Sequence, residues 1–346
     1  MTGFSCPLPL PQKDKIVLGH GSGGTLSADL LRRIILPAYS NAVLEKLEDQ
    51  ATVEVNGARL AFTTDSFVVK PLFFPGGDIG SLSVHGTVND LAMGGAQPKF
   101  LSVSFILEEG FPTADLRRIA ESIGAAARAC GVAVVTGDTK VVESGSGDEV
   151  FINTAGIGIV ADGVRLSASN AQPGDAVVLS GAIGDHGIAI LSKREGLELE
   201  SAVESDSAPL HRLVARMLVV TRDIRCLRDP TRGGVASTLN ELAGQSRVGI
   251  VIDEEKLVIH EGVRGACELL GLDPLYVANE GKLVAVVPAA HAEALVAAMR
   301  EDPLGRDAAV IGTVAERDPG LVLMRTAFGT ARIVGMLTGD QLPRIC

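Results

Sequence analysis

The chain has no tryptophan, and its aromatic content reaches only 3%. Stacking platforms of the kind that hold single-stranded nucleic acid are therefore not expected. Basic charge is also scarce: 31 Lys and Arg face 42 Asp and Glu, a formal net charge of −11. Such a surface repels phosphodiester backbones, which argues against nucleic-acid partners. The cysteines, at 6, 130, 226, 267 and 346, are odd in number and form no CxxC pair, which disfavours a disulfide framework or a zinc ribbon. No stretch reads as a membrane span. The most apolar one, 283–299, is interrupted by Pro288, His291 and Glu293 and reads as a buried strand followed by a helix. The first eleven residues place no basic residue before their apolar stretch and carry Pro7, Pro9 and Pro11, against a signal peptide. A cytoplasmic protein is expected.

What is present is a soluble globular composition, 46% hydrophobic and 21% charged, in 346 residues. That length exceeds one ordinary core, so two domains are expected. A short strand is expected at 15–18, then a Gly-rich turn and a helix over 27–36. Residues 52–70 read as a hairpin turned by Asn56-Gly57. Its second strand, 60–64, is expected to end at Asp65. Helices are expected at 83–93, closed by Gly94, and at 114–130, closed by Gly131. Strands are expected at 99–107, at 132–135 (buried, delivering Gly137-Asp138-Thr139-Lys140) and at 150–160. Pro173-Gly174-Asp175 opens a second unit of alternating strands and helices that runs to about Val334. The expected division is an N-terminal segment 1–36, domains 37–168 and 169–335, and a tail 336–346 without core-facing pattern. Cys130 and Cys267 read as core residues of helices. Cys346 stands in the tail.

Gly19-x-Gly21-x-x-Gly24 matches the dinucleotide fingerprint in form. The second strand and its acidic terminus do not follow where that fold needs them, and no Lys-Ser or Lys-Thr makes it a Walker loop. A flap touching phosphate is the better reading. Asp49, Asp65, Asp90, Asp138 and Asp229 each stand beside a strand end, a turn or a glycine. Taken singly, each reads equally well as an Asx turn or cap. Together they favour a site for hard cations and a triphosphate. Lys140 and Glu280, taken singly, read as solvated charges, and His85 as a structural histidine.

Five motifs occur in order: Thr63-Thr64-Asp65-Ser66-Phe67, Gly86-Thr87-Val88-Asn89-Asp90-Leu91-Ala92-Met93-Gly94-Gly95, Gly137-Asp138-Thr139-Lys140, Gly181-x-x-Gly184-Asp185-His186-Gly187 and Asp229-Pro230-Thr231-Arg232-Gly233-Gly234. With them the chain resembles the superfamily of aminoimidazole ribonucleotide synthetase and selenophosphate synthetase. The ending Pro343-Arg344-Ile345-Cys346 is similar to its HypE branch of hydrogenase maturation proteins. The resemblance implies a two-domain α/β fold whose N-terminal halves pair into a β-barrel in a homodimer. It implies ATP and Mg²⁺, with Asp49, Asp65, Asp90 and Asp229 holding the metal, and Asn89, Asp138, Gly21, Gly23 and Gly24 close to the nucleotide. It also implies carbamoylation of Cys346 by a HypF-like carbamoyltransferase and ATP-dependent dehydration to a thiocyanate. The cyanide then passes to iron on a HypC–HypD scaffold. Lys140 and Glu280 are implied as charge stabiliser and base, in roles that could be exchanged. A selenophosphate synthetase would carry its reactive Cys in the Gly-rich loop, where this chain has His20 and Ser22. A non-catalytic thiol carrier is the rival from a different class. ATP hydrolysis that depends on the loaded tail separates the two.

Overall fold

Asn56 and Gly57 both take positive φ, 50° and 80°, and turn strand β1 (Ala51–Val55) into β2 (Ala58–Phe67). This is the two-residue turn whose twist matches that of the flanking strands. The computed structural model describes residues 15–197 and 203–338. Beyond the hairpin the first half contains α1 (Ile79–Met93), β3 (Ala96–Glu108), α2 (Thr113–Cys130), β4 (Ala133–Val142) and β5 (Val150–Val160). The strands form one sheet in the order β1-β2-β5-β3-β4. Only the β3–β4 pair is parallel, because α2 provides the crossover between them.

One face of this sheet is covered by α1, which in turn packs on α2. Burial alternates along β5 accordingly: Ile152 and Thr154 point in, Asn153, Ile157 and Ile159 point out. The outer face is exposed among the described residues and carries an apolar row. Phe62, Ile157 and Phe100 stand in register across three strands and are each 40–49% exposed.

Four expectations are corrected here. The strand carrying Asp65 does not stop there; β2 continues to Phe67 because each residue from 60 to 67 finds a partner on β5. Residues 133–142 form an exposed edge strand and not a buried one, and Gly137-Asp138-Thr139-Lys140 lies within it, paired to β3. Residues 15–18 pair with no strand among the described residues and lead into a 3₁₀ turn at Leu18–Gly21. Helix α1 starts a turn early, since Asp78 Oδ1 accepts the N–H groups of Gly80 and Ser81 at 2.7 and 3.0 Å.

The second half builds a sheet from β6 (Asp175–Leu179), β7 (Cys226–Arg228), β8 (Gly249–Asp253), β9 (Val284–Pro288), β10 (Ala309–Ala315), β11 (Val322–Arg325) and β12 (Ala331–Ile333). Its order is β12-β11-β8-β10-β6-β9-β7. The helices are α3 (Asp185–Glu195), α4 (His211–Val220), α5 (Gly234–Ser246), α6 (Glu261–Leu270) and α7 (Ala289–Arg300). From Ala176 on, β6 is an unbroken apolar run, as is β9, because both faces are covered. Val177, Leu179, Val284 and Val286 pack with Leu239 and Leu242 of α5. Ala176, Val178, Ala285 and Val287 pack with α4 and α7. Ala92 and Met93 of α1 enter that second core beside Leu213 and Met217, and so join the halves. Cys130 and Cys267 are buried helix residues, as expected.

Candidate active site

The junction between the halves gathers carboxylates. Asp49 comes from the turn before β1, Asp65 from β2, Asp90 from α1 and Asp229 from the turn after β7. Asp65, Asp90 and Asp229 keep partial solvent access. Thr63 Oγ1 lies 2.7 Å from Asp90 Oδ2 and 3.0 Å from the Asp49 carbonyl oxygen, linking β2 to both. Burial, then the charges of Asp229, Asp65 and Asp49, push the Asp90 carboxyl well above its ordinary range. Burial, then Asp49, does the same to Asp229. Burial also raises Asp65, against the pull of Arg232. The carboxylates thus repel one another at close quarters, and an added cation would stabilise their charged forms.

Two arginines that the sequence reading did not single out share this region. Arg228 on β7 is buried. Its Nη1 pairs with Asp49 Oδ1 and lies 3.5 Å from Glu241 Oε2, and Nη2 donates to the Leu47 carbonyl at 2.6 Å. Asp49 is therefore held by a protein cation, while burial still raises its carboxyl. Arg232 Nη1 donates to the Gly21 carbonyl at 3.0 Å. A residue beside Gly-Gly in a turn signals backbone function and gives no hint of this bridge, so only the fold reveals it.

The Gly-rich loop meets this arginine. Gly23, at φ 75°, has no space for a side chain because a Cβ would stand 2.8 Å from the Arg232 carbonyl. Gly24 is closed off in the same way by the Leu337 carbonyl, which also accepts the Thr25 N–H at 2.9 Å. The start of the C-terminal segment is thus seated on the loop that Arg232 contacts.

Glu280 is not a solvated charge. It is 4% exposed, and burial followed by Asp229, Asp65 and Asp206 raises its carboxyl well above the ordinary range. The correction has a simple cause: Gly281 lets the 206–208 backbone lie directly on the turn and cover it. Asn89 follows a different line from its neighbour Asp90. Its Nδ2 donates to the carbonyls of Ala208 and Glu280 at 3.1 and 3.2 Å, and its Oδ1 accepts the Leu210 N–H at 2.7 Å. The side chain clamps backbone of the 208–210 segment and of Glu280. His85 is a half-buried helix residue with its Nδ1 3.1 Å from Ser207 Oγ, and desolvation lowers it to about 4.

Asp138 and Lys140 stand apart from the carboxylates. They pair with each other at 2.9 Å on the exposed edge strand β4, with β3 and β5 between them and β2. The register places Asp138, Ser104, Asn153 and Ser66 in one row across the outer face. Cys346 and Cys6 lie outside the described residues. Among the described residues no three His, Cys, Asp or Glu side chains are grouped to enclose a metal by themselves.

Residues 47–160 match the N-terminal domain of AIR synthase related proteins, and residues 172–323 match the C-terminal domain. Carbamoyl dehydratase HypE of Cupriavidus necator is 57% identical over 345 residues, covering 99% of this chain and 98% of the relative. The chain belongs to the HypE family of carbamoyl dehydratases. A crystal structure of hydrogenase maturation protein HypE in complex with ATP is 50% identical with a TM-score of 0.81, covering 96% of this chain and all of that one. A HypE–HypF complex structure contains a chain 49% identical with a TM-score of 0.85, covering 89% of this chain and 99% of that one. The two-domain α/β architecture expected from the motifs is therefore that of the family. No helix among the described residues is long and apolar enough to cross a membrane.

Proposed function

We propose that this chain is an ATP-dependent carbamoyl dehydratase of hydrogenase maturation whose substrate is its own terminal Cys346. The observation that carries this reading is the seat of Leu337 on Gly24, in the loop that Arg232 ties to the carboxylates. From Leu337 to Cys346 the chain can span about 30 Å when extended. A segment of that length can carry the thiol between the chain's own site and another protein. The described cysteines are unsuited to accept a group. Cys130, Cys226 and Cys267 are buried, and burial pushes their thiols up to about 11, 12 and 11. A thiol that stays protonated is a poor nucleophile.

A HypF-like carbamoyltransferase loads the Cys346 sulfur, a partnership supported by the HypE–HypF complex. The S-carbamoyl oxygen then attacks the γ-phosphorus of ATP, the β–γ bond breaks to release ADP, and one amide proton leaves. Loss of the oxygen as inorganic phosphate, with the second nitrogen proton, forms the S–C≡N triple bond. The carboxylate set fits Mg²⁺, which binds through one or two carboxylates together with phosphate oxygens rather than in an all-protein cage. Asp65, Asp90 and Asp229 would hold it, with Asp49 beside them on Arg228. Bound there, Mg²⁺ supplies charge neutralisation at the triphosphate.

Glu280 is the proton acceptor. Its burial beside Asp229, Asp65 and Asp206 raises its proton affinity, which strengthens it as a base. Arg232, which offsets the charge on both Asp65 and Glu280, orients the phosphate end. The thiocyanate carbon is passed as cyanide to iron on a HypC–HypD-like scaffold. A cytoplasmic setting suits this ATP-using chemistry.

The exposed face carrying Phe62, Phe100 and Ile157 supports a homodimer in which two such sheets close a barrel. Asp138 and Lys140 stand on that sheet, so Lys140 acts in the assembled dimer as a stabiliser of transferred charge. Intact mass measurement of chain loaded by its carbamoyltransferase tests the reading. Mg-ATP should remove about 18 Da, one water, from the loaded chain by the elimination described. Loaded mass unchanged by Mg-ATP would leave only a thiol carrier.

A further inference from the structure

The mechanism above leaves one buried ion pair without a role. Residues 203–210 form a strap across the junction of the two halves. Ser205 N–H donates to the Pro75 carbonyl at 2.8 Å, and Ser205 Oγ lies 2.7 Å from His186 Nδ1 on α3. Ser207 Oγ lies 3.1 Å from His85 Nδ1 on α1. Asn89 then takes the Ala208 carbonyl and the Leu210 N–H. Pinned at these points to both halves, the strap sets Asp206 against the Asn279–Lys282 turn.

The Asp206 carboxylate straddles that turn. Its Oδ1 accepts the Glu280 N–H at 3.0 Å, and its Oδ2 pairs with Lys282 Nζ at 3.0 Å. The two charged side chains are only 4% and 12% exposed. Between them Gly281 has no room for a Cβ, which would collide with the Asp206 carbonyl. The Glu280 carbonyl in turn accepts from Asn89 Nδ2 at 3.2 Å. Both backbone polar groups of Glu280 are thereby fixed from outside its own turn. A glutamate next to glycine would otherwise inherit the mobility of its backbone.

We propose that Asp206 is a positioning residue for Glu280, holding the Glu280-Gly281-Lys282 backbone so that the Glu280 carboxyl is aimed at the reacting amide. The proposal rests on the reading of Glu280 as the base. Asp206 touches the backbone of Glu280 and not the substrate, so its loss should misplace the base while leaving the nucleotide groups where they are. A misplacement of about 1 Å at a reacting group can lower a rate by about 100-fold.

The test uses full-length chain loaded with carbamoyl at Cys346, and follows dehydration in single turnovers across a Mg-ATP titration. Asp206→Ala should slow the limiting rate by about 10- to 100-fold, with the half-saturating ATP concentration changed by less than about twofold. Asp206→Asn keeps an oxygen that accepts the Glu280 N–H and should recover most of the rate. Lys282→Met keeps that bond but removes the second arm, and should fall between the two. Lys282→Met and Asp206→Asn decide the matter if Asp206→Ala does not fold. Wild-type rates in all folded variants, a change confined to ATP saturation, or an Asn variant as slow as Ala would each overturn the proposal. Glu280→Gln is measured in parallel. If it is inactive while the Asp206 variants are normal, only the positioning role fails. If Glu280→Gln dehydrates at the wild-type rate, the assignment of the base fails as well.

Discussion

Asn89 Nδ2 donates to the Glu280 backbone carbonyl at 3.2 Å, from the residue next to Asp90 in the same helix. One turn of α1 therefore serves two ends: Asp90 joins the carboxylates, and Asn89 fixes the turn that carries the base. Asn89→Ala would orphan the Ala208 carbonyl and the Leu210 N–H, and leave the Glu280 carbonyl only the Ala208 N–H at 3.4 Å, at a site where Asn89 itself is 1% exposed. Each unsatisfied buried group costs about 1–3 kcal/mol, so a loss of about 2–4 kcal/mol is expected. Urea unfolding should show it as a lower midpoint at unchanged slope.

Asp90→Asn should have the opposite effect on the unliganded fold. The Asp90 carboxyl is raised in the folded state by burial and by Asp229, Asp65 and Asp49. A group with a raised folded pKa contributes stability that is full below the unfolded value of about 4 and is lost as pH rises through the folded value. At neutral pH without metal its charge is therefore a burden, and Asn removes it. Thermal unfolding at pH 7 in EDTA should give a higher midpoint for Asp90→Asn than for wild type, and the gap should close towards pH 4. Mg-ATP should reverse the order, with affinity for the variant lower by at least about tenfold, or 1.4 kcal/mol.

The outer sheet face makes a third case. Ile157 is flanked in register by Phe62 and Phe100, so Ile157→Asp places a charge in the middle of the apolar row. Burying that charge unpaired in an interface would cost several kcal/mol. Light scattering should report monomers at micromolar concentration with the far-ultraviolet spectrum unchanged. A dimer that persists would mean that another surface pairs the copies.

The features legible in the sequence were those set by local pattern. Asn56-Gly57 announced its hairpin because few dipeptides accept positive φ twice, and the α2 stripe ending in Gly131 announced a helix and its left-handed cap. Asp65, Asp90 and Asp229 could be singled out as acids in apolar surroundings. Their meeting with Asp49 needed the sheets to form, since it joins residues from both halves. The burial of Glu280 is not legible in its own segment, because its cover arrives from residues 206–208, far away along the chain. The strand 133–142 was misjudged because β-branched residues at a sheet edge look like those of a buried strand. Arg228 and Arg232 were missed because their partners, Asp49 and Gly21, are about 180 and 210 residues distant.

The last prediction concerns the acceptor thiol. Cys346→Ala should fold, dimerise and bind Mg-ATP, because Asp65, Asp90, Asp229, Arg232 and Glu280 are supplied by the strands, helix and turns of the two domains and the substitution leaves them in place. It should be unable to take a carbamoyl group, since alanine has no thiolate to attack with. The buried thiols should not replace it: reaching Cys226 requires opening the central core, where its side chain packs at 0% exposure with Leu239 and Val286. Incubation with the carbamoyltransferase and its carbamoyl donor should add about 43 Da to wild type, the mass of CONH2 less the displaced thiol hydrogen, through thiolate attack. Peptide mapping should place that mass, and its later loss on Mg-ATP treatment, on the C-terminal peptide. Equal uptake by Cys346→Ala would refute the self-substrate reading. Cys6, whose surroundings lie outside the described residues, would then be the first thiol to replace.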